Sequence, residues 1–94
     1  MGYRPLPDGL TIKHSNIEGL GLFTEVDIPE GVELGISHWF IENDIHRTPL
    51  GGFYNHSEEP NCYTKNLGVC AMLITKRDIK AGEELTATYT ICPL

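Results

Sequence analysis

Within residues 51–63, GGFYNHSEEPNCY, the chain sets Asn55, His56 and Ser57 side by side and then turns at Pro60-Asn61. Three chemistries could use such a triplet. A hydrolase would need a nucleophile beside His56, but on an extended strand adjacent Ser57 points the other way. The chain also lacks a G-x-S-x-G elbow. A metal site would need more than one ligand. His14, His38, His46 and His56 form no HExxH, and Cys62, Cys70 and Cys92 form no CxxC, so no metal is expected. A ligand clamp asks least: the Asn55 amide offers two donors and an acceptor, and the His56 ring adds a polar edge. A solvated turn is the bland alternative. The N-H-S sequence is also a glycosylation acceptor, which would matter only in a secreted protein.

Two further features carry possible chemistry. Ile17-Glu18-Gly19-Leu20-Gly21-Leu22-Phe23 holds a GxG, in which a ligand could approach the backbone closely. Alone this is weak, because Thr24 stands where the dinucleotide fingerprint needs its third glycine, and a β-bulge or turn explains it as well. Tyr89 closes Glu84-Leu85-Thr86-Ala87-Thr88-Tyr89, where alternation puts Leu85, Ala87 and Tyr89 on one face. By itself that describes a core aromatic.

The elements that must position these residues are short strands. Leu10–Lys13, Leu22–Val26, Val32–Ile36, Cys62–Asn66, Val69–Thr75 and Leu85–Thr90 are rich in β-branched and aromatic residues and are separated by turns. Asn66-Leu67-Gly68 reads as a hairpin turn. Residues 38–50 are ambiguous: Trp39, Phe40, Ile41 and Ile45 could share one side of a short helical turn that Pro49 ends. An internal repeat, T-x-x-D-I-x-x-G-x-E-L, runs from Thr24 to Leu34 and again from Thr75 to Leu85. Both copies predict a strand end, a buried Ile, a turn with Gly31 or Gly82 at positive φ, and a new strand.

Ninety-four residues with 40% hydrophobic content suit one small domain spanning 1–94. No apolar run approaches the ~20 residues of a membrane span, and MGYRPLPDGL has no signal-peptide core and, with Leu6, no myristoylation signal. A soluble intracellular protein with free thiols is expected. The net charge of −6 argues against direct nucleic-acid binding and suits a basic partner, although it also serves solubility.

Taken in order, S-x-I-x-G-x-G-L-F (Ser15 to Phe23), N-H-S-x-x-P-N-C (Asn55 to Cys62) and A-G-E-E-L-T-x-x-Y (Ala81 to Tyr89) resemble the SET domain of protein lysine methyltransferases. The motifs span nearly the whole chain, and N-H-S-x-x-P-N is the most specific. The resemblance implies a mostly β, SET-domain (β-clip) fold of small curved sheets with a threaded C-terminal segment. It implies S-adenosylmethionine as cofactor, contacted by Glu18, Gly19, Leu20, Gly21, Asn55 and His56, with Tyr89 as catalytic tyrosine at a lysine channel. The implied substrate is a lysine in a basic protein or peptide, histone-like or ribosomal, and the implied activity is protein-lysine N-methyl transfer. A catalytically weak SET-like module that only binds a basic peptide is the alternative.

Departures from the family pattern are specific. Gly35-Ile36-Ser37 lacks the usual Tyr, Gly52 replaces a frequent Arg, and no cysteine-rich zinc module follows Tyr89. The stretch from Leu34 to Asn55 is too short for a full substrate-groove wall, yet carries Trp39, Phe40, Ile41 and Ile45. A homodimer in which each subunit covers the other's apolar patch is therefore expected, the alternative being that the cluster caps the monomer's own core.

Overall fold

The computed structural model describes residues 9–88. It is mostly strand. Strands β1 (Leu10–His14), β2 (Leu20–Thr24), β8 (Glu84–Ala87) and β5 (Asn55–His56) form one four-stranded sheet in the order β1-β2-β8-β5. The other sheet has the order β4-β3-β7-β6, from β4 (Asp44–Arg47), β3 (Glu33–Ile41), β7 (Cys70–Thr75) and β6 (Cys62–Asn66). Leu22, Leu73, Ile79 and Leu85 are almost fully buried in the core where the sheets meet. No helix among the described residues is long and apolar enough to cross a membrane.

The two repeat copies pair with each other. Ile28 and Ile79 exchange reciprocal backbone hydrogen bonds, both 2.8 Å, in an isolated antiparallel bridge. Around it the contacts recur in duplicate. Asp27 Oδ1 accepts the Ala81 N–H at 2.9 Å, and Asp78 Oδ1 accepts the Glu30 N–H at 2.8 Å. The Gly31 N–H donates to the Thr75 carbonyl, and the Gly82 N–H to the Thr24 carbonyl. Gly31 and Gly82 have φ of 82° and 94°, the left-handed turn positions expected of both. A pseudo-twofold axis thus joins the sheets.

The Cys62–Asn66 strand matches its expected bounds, and the following hairpin closes as foreseen. Gly68 has φ 95°, and its N–H donates to the Asn66 side-chain oxygen at 2.7 Å. Residues 38–50 depart from expectation. Trp39, Phe40, Ile41 and Ile45 do not share a helical face: they belong to the antiparallel β3–β4 hairpin, turned by Glu42 and Asn43 at φ 50° and 69°. Two successive positive-φ residues make the tight turn that fits strand twist. Cross-strand pairing leaves Trp39 and Ile41 on one face and Phe40 and Ile45 on the other. Pro49 starts a helix instead of ending one. Helix α1 (Pro49–Phe53) has Thr48 as its N-cap, whose Oγ1 accepts the Gly51 N–H at 3.2 Å, and Pro49 takes a first-turn place where no N–H is needed.

Helix α1 is locked to β3 by a bulge. The β3–β7 register slips between Ile36 and His38, which leaves Ser37 as the extra residue. The Ser37 carbonyl then accepts the Thr48 N–H at 3.0 Å, while Thr48 Oγ1 also donates to the Ile36 carbonyl at 2.7 Å. Both contacts hold α1 immediately ahead of Asn55.

Candidate functional site

The three motifs converge on one carboxylate. Ser15 at the end of β1 donates its hydroxyl to Glu84, with Oγ 2.7 and 2.8 Å from the two carboxylate oxygens. Asn55 Nδ2 lies 2.7 Å from Glu84 Oε2, 3.1 Å from Ser15 Oγ and 3.2 Å from the Glu18 carbonyl. A carboxylate and a carbonyl only accept, so the NH2 end of the Asn55 amide must face them. The Ser15 hydroxyl in turn accepts the Ile17 N–H at 2.9 Å. The network fastens the 15–19 loop to β5 and β8, with charge-assisted bonds at its centre.

Gly21 makes this possible. A Cβ there would lie closer to Glu84 Oε2 than any non-bonded contact allows, and 3.0 Å from the Ser15 Cβ. The second glycine of GxG therefore leaves room for the Glu84 carboxylate. Gly19 is the open one: it has φ +47° and nothing within 4 Å of where a Cβ would stand.

Of the residues expected at the site, Glu18, Gly19, Gly21 and Asn55 are gathered around this network. Leu20, the first residue of β2, is exposed beside it. His56 follows Asn55 on a two-residue strand and is exposed, whereas Asn55 is buried, so the pair faces opposite ways. Tyr89 lies outside the described residues. Ser15 and Glu84 were not singled out from the sequence. Their sequence separation of 69 residues explains why, and only their places inside the first and third motifs could have pointed to them.

Asn61 explains the Pro60-Asn61 stop. Its side chain acts as a substitute strand: Nδ2 donates to the Glu84 carbonyl at 2.7 Å, and Oδ1 accepts the Thr86 N–H at 2.9 Å. On its other edge β8 pairs parallel with β5, Asn55 opposite Thr86 and His56 opposite Ala87. The Ser57 N–H adds a 3.3 Å bond to the Ala87 carbonyl, and Thr88 Oγ1 donates to the Ser57 carbonyl. The 57–61 loop thus wraps the end of β8. How the chain threads after Thr88 lies outside the described residues.

His38 packs against Tyr54, the residue before β5. It is buried, its Nδ1 is 2.8 Å from Ser37 Oγ, and its ring meets Tyr54 edge-on at 6.2 Å between centroids. Burial, reinforced by the Arg47 charge, holds its pKa below that of a free imidazole. The unfolded chain therefore takes up a proton near pH 6.5 that the folded chain still refuses. Stability should be intact above that pH and fall as the solution is acidified towards the lowered folded value. Thermal melts from pH 8 to 5 would show it, and His38→Phe should flatten the profile in that window.

The cysteines described here take no part. Cys62 and Cys70 are free and buried, and burial pushes the Cys62 thiol up to about 12. Among the described residues no group of three His, Cys, Asp or Glu could hold a metal ion. The arrangement instead offers an accessible loop backbone at Gly19 and a fixed amide at Asn55.

A family model of the SET domain matches residues 37–90, more than half of the chain. The Arabidopsis thaliana histone-lysine N-methyltransferase ATXR7 is 40% identical over 70 residues, covering 64% of this chain and 5% of that protein. ASHH2, another histone-lysine N-methyltransferase of that plant, is 46% identical over 44 residues, 43% of this chain and 2% of its own length. The chain thus spans only a small part of either relative. A Plasmodium falciparum protein described as a proposed histone methyltransferase superposes with TM-score 0.72 at 18% identity, over 89% of this chain and 95% of that one. A chain of a humanized mutant Polycomb Repressive Complex 2 from Chaetomium thermophilum gives TM-score 0.71 at 23% identity, over 88% and 15%. These two share its fold. With the motifs, the two small sheets and the family match in agreement, this chain belongs to the SET-domain family.

Proposed function

We propose that this chain is the core of an S-adenosylmethionine-dependent protein-lysine N-methyltransferase acting on a basic protein or peptide, histone-like substrates first among them. Family membership supports the activity class, and the names of the two plant relatives support the substrate class. A nuclear or other intracellular location follows from such substrates. The observation that carries the reading is the Asn55 amide, which fastens the 15–19 loop to β5 and β8.

The residues present fit the cofactor. Gly19 leaves space for close approach of a ligand to the loop backbone of Glu18 to Gly21. The Asn55 side-chain oxygen, Oδ1, has no hydrogen-bond partner among the described residues and can accept from a ligand N–H. His56 would add a contact from its exposed side. When bound, S-adenosylmethionine supplies a methyl carbon on a positive sulfonium. The acceptor lysine must be neutral, and desolvation next to a positive charge lowers an amine pKa. Neither a carboxylate pair nor a metal is then needed for proton removal. The protein's task is alignment of amine and methyl carbon, with the Tyr89 hydroxyl orienting the reacting groups.

Calorimetry with the demethylated product, S-adenosylhomocysteine, tests the site. Asn55→Ala should weaken binding at least ~10-fold, since it frees the loop from Glu84 and removes part-buried hydrogen bonds, a loss of about 1–3 kcal/mol. Equal affinity in wild type and variant would remove Asn55 from the site, and no binding by the wild type at millimolar ligand would sink the cofactor assignment. Radiolabelled methyl transfer to histone peptides tests the activity. Peptide binding with cofactor bound but no transfer would assign the chain to the peptide-binding alternative.

A further inference from the structure

Among the described residues, strand β4 is an open edge. It ends the order β4-β3-β7-β6, and all of Asp44, Ile45, His46 and Arg47 are exposed. Its backbone direction can be read from its neighbour. Phe40, directly opposite Ile45, donates its N–H to the Val69 carbonyl at 2.9 Å, away from β4. Phe40 and Ile45 are therefore a non-hydrogen-bonded antiparallel pair, and the Ile45 N–H and C=O point outward. Natural edges are often blunted by Lys, Pro or a bulge, and β4 has none of these; its protection is its four-residue length and the charges of Asp44 and Arg47.

We propose that β4 is a self-association edge, on which two copies pair antiparallel with Ile45 facing Ile45 on the twofold axis. An antiparallel ladder sets outward-pointing residues opposite each other, which permits this register. It places Asp44 of each copy opposite His46 of the other, and Asn43 opposite Arg47. The acidic start of each strand thus meets the basic end of its counterpart, whereas a parallel pairing would set Asp44 against Asp44. The chain carries a net charge of −6, but β4 has one Asp balanced by one Arg, so this edge escapes the general repulsion. Ile45, 45% exposed, gains an apolar partner at the axis. Trp39 and Ile41, 39% and 48% exposed, pair with His46 and Asp44 and flank the seam on one face. The two four-stranded sheets become one of eight strands.

Sedimentation equilibrium from micromolar to millimolar chain should approach twice the 10.5 kDa monomer mass. Ile45→Lys sets like charges together on the axis and should weaken association at least about tenfold with the thermal melt unchanged. Asp44→Lys and His46→Asp should each weaken the dimer alone and restore it when mixed, because mixing recreates opposite charges across the register. This exchange keeps the test decisive even if Ile45→Lys lowers the melt. A wild type that stays monomeric throughout, a dimer indifferent to Ile45→Lys, or variants that fail to rescue each other would overturn the proposal. A monomer whose β4 amides shift only on adding a basic peptide would overturn it too, and give the edge to a peptide.

Discussion

Tyr89→Phe is expected to lower methyl transfer by ~10²-fold or more while leaving the melting temperature almost unchanged. The substitution keeps the ring and removes a single hydroxyl. If the ring only fills the face shared with Leu85 and Ala87, the hydroxyl is dispensable and turnover should survive. If Tyr89 instead orients the reacting amine and methyl carbon, its hydroxyl acts on the transition state, and the loss falls on turnover more than on cofactor affinity. Single-turnover transfer, calorimetric cofactor binding and a thermal melt on the same variant separate these outcomes. Unchanged turnover with a lowered melt would make Tyr89 a core aromatic.

The largest effect on stability is expected from Gly51→Ala. A Cβ at Gly51 would overlap the Ser37 carbonyl, with the Ser37 carbonyl carbon at 2.7 Å and His38 Cε1 at 3.1 Å. These are mostly backbone atoms of the bulge that receives Thr48, so they cannot swing aside as a flexible side chain would. Either α1 lifts from β3 or the bulge distorts. Overpacking of this kind costs about 1–3 kcal/mol, occasionally more. In a domain of this size each kcal/mol is worth about 4–8 °C of melting temperature. Gly52→Ala is the internal control, because nothing stands within 4 Å of its Cβ position and its φ is not positive. It should be neutral or stabilising by up to about 1 kcal/mol, as the unfolded chain loses freedom. Since only Tyr54 separates α1 from Asn55, Gly51→Ala should also weaken cofactor binding where Gly52→Ala does not. A Gly51→Ala melt equal to wild type would show that α1 is not held by this contact.

The alternating strand Cys62–Asn66 and its Asn-x-Gly turn were legible because their signals are local. Side-chain parity and a glycine at positive φ operate within a few residues. The β3–β4 hairpin was not legible, for an equally local reason. Its turn residues Glu42 and Asn43 carry no glycine, so nothing announced two positive φ angles, and apolar residues at 39–41 and 45 fit either period. Pro49 misled because a proline that ends one helix can equally start another.

The sequence by itself determined the family, through three short motifs, and the two repeat frames with their turn glycines. It could not say that the repeats face each other across the Ile28–Ile79 bridge, because two identical frames can pair, stack or lie apart. Nor could it distinguish their glutamates. Glu33 and Glu84 hold the same repeat position, yet Glu33 is exposed at the start of β3, while Glu84 meets Ser15 and Asn55 under the space left by Gly21. A repeat specifies local backbone, which depends on neighbours in the chain. Which partner a side chain meets is set by sheet order and register, and these are fixed only when distant strands bury their apolar faces together.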